Sequence, residues 1–397
     1  MPESIYITGC GVVSALGIGQ QELRTGLLQG RSPLNSCLHH ISTVHTIPCA
    51  EVFPSDEELK EAMQLPDIPY TRASLMGIMA AREAVANASL KFDGHYRIAF
   101  VSSTSAAGMD KMEFYYGDYL KSRQHVPYIA LYDAGAVTDA IAPMVGNFDV
   151  VTTITAAGNS SANAIHTAIR MIQTSYADIV VVGGTDALTR YHINGFSALG
   201  MLSHEVCRPF DARHCGLSVG EGAAYLVLEN ETTVKRRFVQ PLVKLSAAIP
   251  LFQPQMPVND TPHPIYACMR QALEQAALYP ENIDYINAHA TGLPSDDRAE
   301  AHAIMAVFGA EYPLTSSTKG AVGHTVAADA TLQLLITTDA IQHDFIPPNL
   351  HFAEPMEELN AFVPIATAVT SHPLKNALIN TAGMGGYYSS FILSKVN

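Results

Sequence analysis

Tryptophan is absent from the 397 residues, and charged side chains make up only 15% of them. Basic residues are the scarcer sign: 23 Lys and Arg stand against 37 Asp and Glu, a net charge of −14. No Lys/Arg cluster stands out, so the electrostatic footprint of a nucleic-acid binder is missing. Acidity of this kind serves solubility. A phosphate-bearing substrate or carrier would need a local basic patch that the sequence does not display. No apolar run approaches the ~18–20 residues of a membrane span. The opening MPESIYITGCGVVSALG lacks the basic n-region of a signal peptide. Six cysteines are scattered without a C-x-x-C pair, which excludes a disulfide framework and makes a reducing cytoplasm the default. Cys37, His39, His40 and His45 lie close together, but their spacing matches no zinc pattern.

What is present is a globular composition, 48% hydrophobic. Its length suits two or three domain-sized units with a large core. Strand-like runs alternate with helical segments. IYITG, RIAFVSS, VVTTIT, DIVVVGG and AAYLVLE mark the first half. The charged tract 230–241, with its proline, reads as a break, and places two units at 1–235 and 236–397. The second half repeats the logic with PLVKLSAAI, DYINAH, PLTSSTKG, ALINTAG and SSFILSK. Helices are predicted between them at Tyr266–Ala277, Asp297–Phe308 and Ala327–Ala340. Such βα units with paired closing strands predict mixed sheets covered by helices on both faces. The repetition is one of architecture, not of sequence.

Three motif matches lose their force in context. GCGVVSALG has Gly9 and Gly11 of a dinucleotide fingerprint, but Ser14 stands at the third glycine. Gly216-Leu-Ser218-Val-Gly220 matches the hydrolase elbow G-x-S-x-G, which would make Ser218 a nucleophile. That elbow needs a strand before the serine and a helix after it, whereas here a polar loop precedes and a strand follows. Ser316-Ser-Thr-Lys319 matches S-x-x-K, yet it follows a strand rather than opening a helix. Residues 153–172, TITAAGNSSANAIHTAIRMI, form a more informative stretch. A β-branched run gives way to an amphipathic helix with Ala164, Ile165, Ala168, Ile169 and Ile172 at helical spacing. The elbow between them, 155–160, holds Gly158.

DIVVVGGTDAL (178–188), CRPFDARHCGLSVGEGAAYLVLE (207–229), NAHATGLPSDDRAE (287–300), SSTKGAVGH (316–324) and NTAGMGGYYSSF (380–391) occur in this order. Together they resemble the β-ketoacyl-acyl carrier protein synthases, across nearly the whole chain. The resemblance implies a thiolase-like α/β fold of two related halves, each with a mixed five-stranded sheet, in an α-β-α-β-α layered arrangement. It also implies assembly as dimers and substrates carried on the phosphopantetheine of an acyl carrier protein, with no other cofactor. Such enzymes hold an acyl chain as a thioester on a cysteine thiolate, favoured at a helix N-terminus. They then decarboxylate a malonyl thioester, using hydrogen-bond donors that stabilise the enolate. The family's two neutral histidines match His289 and His324, and its lysine matches Lys319.

The nucleophile is what the resemblance does not find. The cysteine position falls on Gly158, or on Ala157 if the register slides by one. No acyl-enzyme forms there. The N–H groups of Gly158 and Met384 are the family's oxyanion-hole positions. Further departures follow the matched motifs. Thr291 keeps the first pantetheine-contacting threonine, and Leu293 replaces the second. Gln333 stands where a carboxylate is usual, nine residues after His324. Met384 replaces the gating phenylalanine, with Tyr387 and Tyr388 just beyond it. These features are expected of a condensation-deficient partner subunit, like a chain-length factor, in a heterodimer with a cysteine-bearing synthase or in a homodimer. The alternatives are a malonyl-carrier decarboxylase using His289 and His324, and an active synthase with an introduced Cys-to-Gly change. Outside the class stands the serine hydrolase at Ser218.

Overall fold

The computed structural model describes residues 3–35, 38–41, 46–254, 263–359 and 361–396. The strand-like runs of the first half become β1 (Ile5–Ser14), β2 (Ile98–Ser103), β3 (Val150–Ile154), β4 (Ile179–Asp186) and β5 (Gly222–Asn230). Those of the second half become β6 (Val243–Phe252), β7 (Tyr285–Asn287), β8 (Leu314–Ser316), β9 (Asn376–Gly383) and β10 (Tyr387–Lys395). The first five lie in the order β3-β2-β4-β5-β1 and the second five in the order β8-β7-β9-β10-β6. Strand for strand this is one topology used twice. The directions repeat as well: β2 is parallel to β3 and β4, and β5 antiparallel to β4 and β1. Likewise β7 is parallel to β8 and β9, and β10 antiparallel to β9 and β6.

The two sheets are not wholly separate. Ile5, Tyr6 and Ile7 of β1 pair antiparallel with Leu245, Lys244 and Val243 of β6, joining them at one corner. Helices fill the faces: α1 (Arg72–Asn87), α2 (Ser160–Gln173), α3 (Arg190–Ala198), α4 (Pro264–Ala276), α5 (Pro294–Phe308) and α6 (Asp329–His343). α2 and α6 pack on each other and sit between the sheets. α1 covers the outer face of the first sheet, and α4 and α5 that of the second. The result is the five-layered α/β arrangement that the resemblance implied, with the mixed, helix-covered sheets that the strand pattern predicted.

Local chemistry explains the element bounds. In α2, Ala164, Ile165 and Ala168 are fully buried and Ile172 nearly so, with Ile169 packed at the margin. Each large aliphatic side chain buried in this way contributes roughly 1.5–3 kcal/mol. α6 is buried from Asp329 through Ile341 on every side, as a helix between two sheets must be. α4 and α5 start earlier than the periodicity predicted, because Pro264 and Pro294 occupy first-turn positions where a missing N–H costs nothing. The glycines of GCGVV serve packing: a Cβ on Gly11 would lie 2.0 Å from the carbonyl oxygen of Ala80 in α1. The tract expected as a break holds a short helix, Glu231–Arg237, between β5 and β6. The side chain of Asn230 accepts the Thr233 N–H at 2.8 Å, and basic residues fill the last turn.

Candidate active site

β3 runs into the 155–159 elbow, and α2 begins at Ser160. Ser160 Oγ accepts the N–H of Ala156 at 2.8 Å and donates to the carbonyl of Ala157 at 2.6 Å, locking the turn. The left-handed residue of the elbow is Ala157, with φ 48°, and not Gly158. A Cβ on Gly158 would meet His324 Nε2 at 3.5 Å and Gly383 Cα at 3.8 Å, ordinary van der Waals contacts. Neither backbone angle nor crowding therefore requires glycine here. The opposite holds at Gly383, where a Cβ would lie 2.9 Å from Asn159. That close approach brings the Met384 loop against the elbow.

The second half delivers the polar groups. β7 ends beside His289. Lys319 opens a single helical turn after β8, and His324 follows Gly323, whose φ of 68° reverses the chain. The His324 N–H donates to the Ser218 carbonyl at 2.8 Å, and Gly220 N–H to the His324 carbonyl at 2.9 Å. The 216–220 segment is thus the strand-like backing of His324. Ser218 is buried, its Oγ accepts the Cys207 N–H at 3.1 Å, and β5 rather than a helix follows. The geometry that G-x-S-x-G needs is absent.

His289, Lys319 and His324 converge on a residue the sequence reading missed, Asp329 at the start of α6. Lys319 Nζ lies 3.1 Å from Asp329 Oδ2, His324 Nδ1 3.3 Å from Oδ1, and His289 Nδ1 3.8 Å from Oδ2. The imidazole rings stand perpendicular, at 88°, with centroids 5.8 Å apart. Burial alone would raise the Asp329 carboxyl, but the Lys319 ammonium and the two histidines outweigh it and hold it below the usual carboxylate range. His289 is driven well below its ordinary value, first by burial and then by Lys319, so its ring is neutral near pH 7. Gln333, one helical turn further on, does other work. Its amide donates to the carbonyls of Ala288 at 2.9 Å and Asn380 at 3.3 Å, tying α6 to the end of β7 and the middle of β9. The signal of Asp329 in the sequence was an acidic residue in the first turn of the helix after GHTVAA.

Glu300 of α5, also missed, holds His289 in place. Its carboxylate accepts the N–H of His289 at 3.0 Å and of Ala290 at 2.8 Å, and the amide of Asn380 at 3.0 Å.

Two cavities meet at Gly158. An outer cleft of ≈ 400 Å³ is lined by His289, His324, Thr291 and Leu293, with Tyr388 and Glu300. A second pocket of ≈ 340 Å³ is lined by Ser105, Ala157, His192 and Val326. Gly158, Phe196, Leu199 and Met384 border both. Tyr387 lines neither: successive strand residues face opposite ways, and its ring packs on Phe252 at 4.8 Å. A larger surface cleft of ≈ 610 Å³, lined by Asn87, Lys91 and Arg237 among others, does not touch Gly158.

Among the described residues no cysteine lines either cavity. Cys207 lies nearby, but its thiol points at the Lys319 carbonyl at 3.4 Å, and burial pushes it up to about 11. Cys37 and His45 lie outside the described residues. The backbone N–H groups of His39 and His40 donate to Glu51. Among the described residues no group of metal-type ligands forms, and no helix is long and apolar enough to cross a membrane.

Residues 2–233 match the family description "Beta-ketoacyl synthase, N-terminal domain", and residues 254–353 "Beta-ketoacyl synthase, C-terminal domain". The chain belongs to the β-ketoacyl synthase family. Similar relatives include 3-oxoacyl-[acyl-carrier-protein] synthase 2 of Coxiella burnetii, 30% identical over 99% of this chain and 98% of that one. Nodulation protein E of Rhizobium sp. strain N33 is 28% identical over 97% of this chain and 98% of its own. The solved structure of the ishigamide ketosynthase/chain length factor superposes with a TM-score of 0.91 at 26% identity, covering both chains fully. A β-ketoacyl synthase from Burkholderia phymatum gives 0.83 at 25%, again over both whole chains. The fold is that of the thiolase-like ketosynthases, and this β-ketoacyl synthase homologue carries glycine at the elbow that faces His324.

Proposed function

We propose that the chain is a condensation-deficient partner subunit of a type II synthase. It pairs with a cysteine-bearing homologue and shapes the acyl product without holding it covalently. The observation that carries this reading is Gly158: it sits where both cavities meet, in a backbone that accepts any residue, with no described thiol able to substitute. The similar solved structure described as the ishigamide ketosynthase/chain length factor supports the same reading.

The outer cleft, with Thr291 and Leu293 in its lining, admits the phosphopantetheine arm of an acyl carrier protein. Leu293 offers no hydroxyl to that arm, which weakens the grip relative to a two-threonine motif. Pairing is served by β3, an edge strand that pairs with β2 alone among the described residues, with Val151 40% exposed. No charge or proline blunts this edge, so it is a template for a second chain. Phe114, Leu120, Val126 and Tyr132 expose further apolar surface in the same half. Co-expression with a cysteine-bearing synthase tests the proposal. A stable heterodimer is expected, with product length shifting when residues bordering the two cavities, such as Met384, are changed. A chain that stays alone in the presence of every candidate synthase overturns it.

One observation favours a second reading. The perpendicular rings of His289 and His324 stand beside Gly158, and decarboxylation of a malonyl thioester needs such groups rather than the thiol. The C–C bond to the carboxylate breaks, CO2 leaves, and the electron pair forms an enolate that is then protonated to the acetyl thioester. His289 is neutral and therefore suited to donate a hydrogen bond to the enolate oxygen. Release of CO2 from malonyl-carrier, lost in both His289→Ala and His324→Ala, would establish this activity. The third reading, an introduced Cys-to-Gly change, predicts that Gly158→Cys alone restores condensation.

A further inference from the structure

The second pocket carries polar groups that an alkyl chain does not need. Phe196, Leu199, Val326 and Met384 give it apolar walls, and Ser105 and His192 face into it from between them. Ser105 Oγ lies 3.0 Å from His192 Nε2 and 2.5 Å from Asp186 Oδ2. The ring of His192 is buried, and its Nδ1 has no hydrogen-bond partner of good geometry, although the backbone of Ala187 is near. Buried polar groups of this kind cost free energy unless they are satisfied.

Asp186 limits what can satisfy them. Its oxygens already accept from Thr104 Oγ1, the N–H groups of Ser105, Ala106 and Ala327, and Ser105 Oγ. That fills the roughly four lone-pair sites of a carboxylate, so no capacity remains for a ligand cation. A ligand carboxylate would meet the Asp186 charge from in front. With the Ser105 proton donated to Asp186, the contact to His192 requires Nε2–H to donate to Ser105 Oγ, which leaves that oxygen one lone pair to accept a further hydrogen bond. A ligand hydroxyl can donate to it, and a methyl group cannot.

We propose that the second pocket receives the hydroxyl-bearing end of a carrier-bound acyl group, selected by Ser105 and His192. The passage past Gly158 and Met384 links this pocket to the outer cleft. The inference rests on the reading that the outer cleft admits a pantetheine arm.

Pantetheine amides test it, because an amide in place of the thioester cannot turn over. Binding of ω-hydroxyacyl amides from butanoyl to octanoyl is measured by calorimetry beside ω-methyl analogues of matched length. At the best-fitting length the hydroxyl compound is expected to bind about five-fold or more tightly, the worth of one net hydrogen bond. Ser105→Ala and His192→Phe should each bring the ratio of methyl to hydroxyl dissociation constants to about one, with urea unfolding of each variant certifying that it folds. Methyl analogues that bind equally or better at every length overturn the proposal, as does a preference that survives Ser105→Ala. If neither series binds, the outer cleft does not admit the arm, and that underlying reading fails as well.

Discussion

Position 158 makes no backbone demand for glycine, since the left-handed strain of the elbow is carried by Ala157. Gly158→Cys is therefore expected to fold with stability within about 1 kcal/mol of the parent, measured by urea unfolding. Asp329 is the opposite case. It is the shared counter-ion of Lys319, His324 and His289, and Lys319 is 2% exposed. Asp329→Asn leaves that ammonium buried and unpaired, and is expected to cost about 3–5 kcal/mol in the same assay. A loss below about 1 kcal/mol would show that Lys319 finds another partner. Glu300→Ala strands the N–H groups of His289 and Ala290, with an expected loss of about 2–4 kcal/mol.

At the scale of elements, α2 carries its own pH sensor. His166 stacks on Phe391 of β10 with centroids 5.1 Å apart and contacts Ser389 Oγ at 3.2 Å. Burial lowers it to about 4. The unfolded chain titrates this group near 6.5. Between those values the unfolded state binds a proton that the folded state does not. Stability therefore falls as pH drops from about 6.5 toward about 4, at up to about 1.4 kcal/mol per pH unit. His166→Gln should flatten that slope, as read from urea midpoints across the range; an unchanged slope would show that His166 is not its source. Elements were also where the sequence was most legible. Short apolar runs disclosed every strand of the ten-strand path except their exact ends, because burial on both faces leaves a near-continuous hydrophobic signature. The elbow and both histidine loops were legible as ordered motifs. Asp329 and Glu300 were not, since an acidic residue on a helix does not disclose which loop it will face once the helix packs. Nor were Ser105 and His192, which sit on different elements and look unremarkable alone. The tract 230–241 was legible as a break in the strand pattern, but not as the short helix Glu231–Arg237 that occupies it, because charge and proline mark a solvated helix end as readily as a linker.

For the whole molecule, one topology used twice explains where the site lies. The first half supplies the elbow at the N-terminus of α2, the second supplies the histidines and Asp329 at the N-terminus of α6, and the two helices pack together between the sheets. The same arrangement leaves β3 as the outer edge of the first half. Val151→Lys on that edge is expected to weaken dimers by at least ten-fold, read as the concentration at which mass by light scattering falls to that of one chain. Unchanged association would move the interface elsewhere. The central claim, that a ketosynthase site persists without its nucleophile, is tested most directly by intact-mass spectrometry after incubation with an acyl-carrier thioester. No acyl adduct is expected on the native chain, and a single adduct, at the new thiol, on Gly158→Cys. A stable acyl adduct on the native chain would contradict the account.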